Sequence, residues 1–300
     1  MKSVHQSTIT SARSVNGFYK HGDIFLMLPT TQDIGPCWTG FTLEYNSKYC
    51  LPEELSDSRE EGLVDQRKDL VHLTLLQELI CLISIASGDV LRLSYNRDVE
   101  AIPAPQRSID NYSSTDNLHQ IECTRHNTDK GFVSNDERFD FNEGADEFFT
   151  NYFALSASER RLIKRSLLLF TAARNISGGN LLDGSYSLAN VALISAIETL
   201  IAFHSRKEKT ETCKECNAKI YSVNKKFKDF MCRFGNNNSA LIKKMYSMRS
   251  NIVHRGELFD IDTDLTTFSV SDYDLHIDME LCVRVAIFRY IRELSIQGTP

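Results

Sequence analysis

Over most of its length this chain repeats apolar residues every three to four positions, and only near its start do they cluster between turn formers. From Gly17 to Tyr45, aromatic and β-branched residues are broken by Pro29, Gly35, Pro36 and Gly40, a pattern of short strands joined by turns. Residues 66–87, QRKDLVHLTLLQELICLISIAS, follow helical spacing and stop at Gly88, a glycine placed where helices commonly end. Asp89 to Tyr95 reads as one more strand. From Pro103 to about Glu147 the chain is polar and acidic, so a linker or a long, weakly structured excursion is expected there.

Beyond that stretch the pattern is helical almost to the end. Ser156-Ala-Ser-Glu159 has the form of a capping box ahead of RRLIKRSLLLFTAARNI, and Ser177 with two glycines closes that helix. Residues 186–204, YSLANVALISAIETLIAFH, are apolar nearly all round, as in a helix buried in a bundle, so its polar exceptions carry information. A third helix is expected from Ile220 to Phe234, stopping at Gly235, and a fourth from Ser239 to a stop near Gly256. An acidic loop, ELFDIDTDLTTFSVSD, leads to a last helix from about Tyr273 to Ile296. Short connections between these helices predict a mostly antiparallel bundle. The expected fold class is α+β: a mixed α/β domain over 1–104, an acidic linker or excursion over 105–148, and an all-helical domain over 149–300.

Composition narrows the picture. At 300 residues and 42% hydrophobic content the chain can bury a real core, which excludes wholesale disorder. The start, MKSVHQSTITSARSVNG, lacks the apolar core of a signal peptide, and the runs around Leu79–Ala86 and Leu167–Ala173 are too short to cross a bilayer; a soluble cytoplasmic protein is expected. Eight scattered cysteines do not form a disulfide framework. Charge is divided unevenly. Residues 1–150 hold 13 basic and 24 acidic side chains, whereas residues 201–250 hold 12 basic and 4 acidic, a local excess that attracts a polyanion such as RNA or simply solvates a helical face.

The segment Tyr246-Ser-Met-Arg-Ser-Asn-Ile-Val-His-Arg-Gly256 holds the candidate chemistry. Histidine titrates near neutrality and can take a proton from a 2′-hydroxyl; arginine is always charged and can hold phosphate oxygens with two donors. Arg249 and His254 therefore have the side chains needed to cleave RNA without a metal. On an ideal helix they sit about 140° apart, so either the helix ends between them or the site combines two copies of the motif across a two-fold axis. A structural role is the alternative, with His254 capping the last turn and Arg249 paired to an acid.

This segment resembles the HEPN superfamily, and within it the ApeA-like branch, whose signature is an Arg followed by a small or polar residue and then, after four to six intervening residues, a His near a glycine. Arg249, Ser250, Asn251 and His254 match it, with Arg255 before Gly256, and the helix order agrees over about residues 150–297. The resemblance implies a HEPN-type bundle, Arg249 and His254 as catalytic residues, and a homodimer with a composite site. It also implies an RNA substrate in a bacterial anti-phage or toxin-like setting, with a phage-derived or nucleotide trigger and no catalytic cofactor. Catalytically silent members that only bind RNA or a nucleotide are the alternative it leaves open, and a purely structural scaffold is a third.

Glu198, an acid in an otherwise apolar helix, needs a partner such as Arg249 or Arg255, or else a wet stripe to sit on. Asn251, with Ser250 and Arg255, is expected to support the site or touch RNA, although Asn in a last helical turn also caps backbone. Cys213 and Cys216 have the spacing of half a zinc site, to be completed by Cys232, His204 or another chain; a knuckle of free thiols or a redox-labile pair is the alternative reading. Glycine-rich phosphate loops, HExxH, GxSxG and dense carboxylate clusters are absent from the sequence.

Overall fold

In a computed structural model of the protein, the structure describes residues 3–30, 39–51, 64–93, 107–108, 112–124, 138–177, 185–207, 223–263 and 270–294. The chain divides into two compact units, with the main boundary between Ala157 and Ser158.

The first unit is built on an antiparallel sheet. Strands β1 (Ser3–Ser11), β2 (Tyr19–His21), β3 (Phe25–Pro29), β4 (Thr39–Asn46) and β5 (Leu91–Leu93) lie in the order β2-β3-β4-β1-β5, and β6 (Arg107–Ser108) also pairs with β1. The β1–β4 ladder runs from Val4 opposite Asn46 to Ser11 opposite Thr39. Helix α1 (Val64–Ser87) buries Leu75, Leu79, Leu82, Ile83 and Ala86, and ends where Gly88 turns to φ 75°. Two short parallel strands, β7 (Cys123–Thr124) and β8 (Phe141–Asn142), precede α2 (Ala145–Phe153). Tyr19, Phe25, Phe141 and Phe149 join these elements in one aromatic core.

Of the linker and the excursion expected over 105–148, the described residues form an excursion within the first unit. The Phe18 N–H donates to the His119 carbonyl at 2.9 Å, the Ile121 N–H to Phe18 at 2.7 Å, and the Phe139 N–H to Ser14 at 2.9 Å. Phe139, Phe141 and Phe148 are buried. The segment is sparse in apolar residues along the sequence, but these three aromatics are large and all face inward. The helical unit accordingly begins at Ser158 rather than at 149.

The second unit is helical: α3 (Ala157–Ser177, all but its first residue), α4 (Tyr186–His204), α5 (Val223–Phe234), α6 (Ser239–Arg255), α7 (Asp260–Thr263) and α8 (Val270–Glu293). Helix α4 has the length and apolarity of a bilayer span, yet it is the core of this unit, covered by α3, α5, α6 and α8. Leu193, Ile194, Ala196, Ile197 and Leu200 are sealed from solvent. Helices α3 and α6 run antiparallel to α4, as the contacts Ser166–Ala196 and Glu159–Arg206, and Arg249–Glu198 and Phe259–Ser187, show. Helix α8 runs parallel to α4, since His276 meets Asn190 and Tyr290 meets Phe203 and His204. The acidic segment between α6 and α8 makes that parallel crossing possible. Its Asp262 carboxylate accepts from the N–H groups of Tyr186 at 2.9 Å and Ser187 at 2.7 Å, satisfying the positive end of α4.

Candidate functional site

Helix α6 carries the motif and is bounded sharply at both ends. The Asn238 side chain accepts from the Ala240 and Leu241 N–H groups, and Gly256 closes the helix at φ 69°, its N–H reaching the Ile252 carbonyl. Ile242, Met245 and Ile252 form the buried face, and Arg249 falls on that same line. An arginine on a face turned toward α4 requires an acid, and Glu198 supplies it: Arg249 Nη2 lies 3.1 Å from Glu198 Oε2, with the two side chains 26% and 22% exposed. The Arg249 Nε is buried and has no hydrogen-bond partner among the described residues.

His254 lies in the same unbroken helix but on its solvent side, exposed, as are Arg255 and Gly256. Of the two geometries open from the sequence, a helix ending between Arg249 and His254 is therefore ruled out. Five residues of regular helix separate them by about 7.5 Å along the axis and about 140° around it. One chain presents an arginine tethered to α4 and a histidine in water, with no shared cleft. Asn251 and Ser250 are half-buried beside them, and Arg255 pairs at 3.6 Å with exposed Glu257. The expected partnership of Glu198 thus falls to Arg249.

Among the remaining candidates, Cys213 and Cys216 lie outside the described residues. Cys232 is a half-buried free thiol on α5, and His204 packs its ring among Phe230, Phe234 and Tyr290. No group of three metal-ligating side chains occurs among the described residues.

A polar network inside the helical unit is not foreshadowed by the sequence pattern. His276 on α8, 2% exposed, has Nδ1 2.7 Å from Asn190 Oδ1 on α4, and Nε2 4.0 Å from Glu280 Oε2; Glu280 in turn holds Arg174 of α3 at 2.8 Å. With the Asn190 amide in this orientation, His276 Nε2 and Asn190 Nδ2 have no hydrogen-bond partner among the described residues. Turning the Asn190 amide by 180° makes Nδ2 the donor to Nδ1 and puts the ring proton on Nε2, facing Glu280, which is the better-satisfied arrangement. Burial holds His276 below the ordinary histidine value, against the opposing pull of Glu280 and Asp262. Asn190, a polar residue in an apolar helix, was the available signal.

Compared with protein-family models, with curated proteins and with solved structures, the chain finds no match.

Proposed function

We propose that the helical unit is a HEPN-type domain that binds and cleaves RNA without a metal, its site completed when two chains pair. The observation that carries this reading is the placement of Arg249 and His254 on one capped, acid-free helix, the arginine held by Glu198 and the histidine open to solvent. His254 takes the proton from a ribose 2′-hydroxyl; the 2′-oxygen attacks phosphorus, the bond to the 5′-oxygen breaks, and a 2′,3′-cyclic phosphate and a 5′-hydroxyl result. The guanidinium of Arg249 stabilises the charge on the phosphoryl oxygens. Across a two-fold axis His254 of one chain works with Arg249 of the other, giving two such sites per dimer, and the leaving 5′-oxygen takes its proton from water. Glu198 orients Arg249, and Asn251 and Ser250 are placed to hold the strand.

Pairing is supported by apolar side chains left in water around the motif: Val253 on α6, Leu258 just beyond it, and Leu188 on the adjoining end of α4 are all exposed. In this reading the protein acts in the bacterial cytoplasm in anti-phage defence or as a toxin, and the acidic first unit senses the trigger or restrains the nuclease.

The Arg249–Glu198 ion pair favours a second reading, in which Arg249 is structural and the unit only binds RNA or a nucleotide for a partner protein. Incubating cellular RNA in EDTA with wild-type protein and with folded Arg249→Ala and His254→Ala variants separates the two. Cleavage by the wild type that disappears in both variants supports the nuclease. RNA binding without cleavage in all three supports the binding module.

A further inference from the structure

Helix α6 contains no acidic residue, and the hairpin from residue 223 to 255 holds eight Lys and Arg against Asp229 alone. Lys243 and Lys244 stand in the second turn of α6. They are exposed, and, like Lys225 and Lys228 on α5, they have no ion pair or hydrogen bond among the described residues. A merely solvated helix face ordinarily interleaves opposite charges at three- and four-residue spacing, and α6, which has no acid, does not. A local rule broken without a compensating contact within the fold points to a ligand.

Spacing orders these groups. Lys243, Ser247, Ser250 and His254 follow one another at intervals of four, three and four residues, so they line one side of α6 over about 16 Å. Lys243, Ser247 and His254 are exposed, and Ser250 is half-buried. The opposite side, with Ile242, Met245 and Ile252, is spent on packing, so the helix has no apolar face to insert into a bilayer.

We infer that this stripe, with Lys244 about 100° round the helix beside it, is a track for the backbone of single-stranded RNA, with Lys243 and Lys244 on phosphates and the Ser247 and Ser250 hydroxyls on phosphate or ribose oxygens. His254 stands at the end where the bond is cut, so the track rests on the reading of His254 given above. A single strand is favoured over a duplex because A-form pairing keeps the 2′-oxygen out of line with the bond to the 5′-oxygen, whereas a single strand can rotate into line.

The test is the affinity of the full-length protein for a labelled oligouridylate with 2′-O-methyl sugars, which the proposed chemistry cannot cut, measured over a range of salt for wild type, Lys243→Gln/Lys244→Gln and His254→Ala, each checked for unchanged helicity. The double lysine variant is expected to bind more weakly, with the slope of log affinity against log salt reduced by about 1.4, or about 0.7 for each phosphate no longer neutralised. The His254→Ala slope stays at the wild-type value. A self-paired duplex of similar length is expected to bind more weakly than the single strand, and phosphatidylserine vesicles are expected not to bind. The track is overturned if wild type does not bind the oligonucleotide or if the double variant keeps the wild-type slope. Duplex bound as tightly as single strand, or vesicle binding abolished by the same lysine substitutions, also overturns it. Failure of the cleavage reading shows separately, as cutting of cellular RNA that persists in His254→Ala while the lysine effect on the slope remains.

Discussion

Glu198 is the one charged residue in α4, and its position decides what Arg249 can do. The pair is about three-quarters buried, so it fixes the guanidinium against α4 while leaving part of it to meet a ligand. That acid was legible in the sequence because a charge in an apolar helix demands a partner. His276 was not: in DYDLHIDMEL it stands among acids and reads as a surface histidine, and only packing against Asn190 reveals it as buried. Its depressed folded value has a consequence for stability. As pH falls below about 6.5 the unfolded chain takes up a proton that the folded chain refuses, so stability declines until the pH passes below the folded value. His5, lowered to about 4 by burial and by His72, and His21, also lowered by burial, add to the same acid-side loss from the first unit. Denaturant midpoints measured from about pH 7 to about pH 5 are expected to fall less steeply for His276→Gln than for wild type. Equal slopes would show that His276 does not refuse the proton.

At the scale of elements, chain punctuation located the helices well. Gly88, Gly235 and Gly256 each end a helix where the sequence placed the stop, and α4 and α6 begin at the residues expected. Strand β1 was hidden because SVHQSTITS carries only Val4 and Ile9 as aliphatic residues, and its pairing with β4 is a long-range fact. The parallel crossing of α4 and α8 was equally hidden, because it depends on the segment around Asp262 returning to the start of α4. Gly256 matters most for the proposed site, since it ends the turn that carries His254. A Cβ there would touch nothing within 4 Å, but φ is +69°, so Gly256→Ala meets backbone strain of about 1–2 kcal/mol with no steric clash. A lowered melting temperature together with weakened RNA cleavage is expected for Gly256→Ala. Gly256→Asn should retain more of both, because asparagine tolerates the left-handed region. An alanine variant as stable as wild type would contradict the role given to this cap.

For the whole molecule, the division into two units and the reversal of charge between the halves were legible, while the boundary lay later than the composition of 105–148 suggested. In the proposed nuclease the site exists only between two chains, because α6 sets Arg249 and His254 on different sides of one helix. Mixing tests that directly. Chains carrying Arg249→Ala and chains carrying His254→Ala, each inactive alone, are unfolded together, refolded, and assayed on RNA in EDTA after heterodimers have been counted. With random pairing half the dimers are mixed, and each has one intact site of two, so activity should return to about a quarter of the wild-type level. Demonstrated heterodimers that remain as inactive as either variant alone would contradict the composite site.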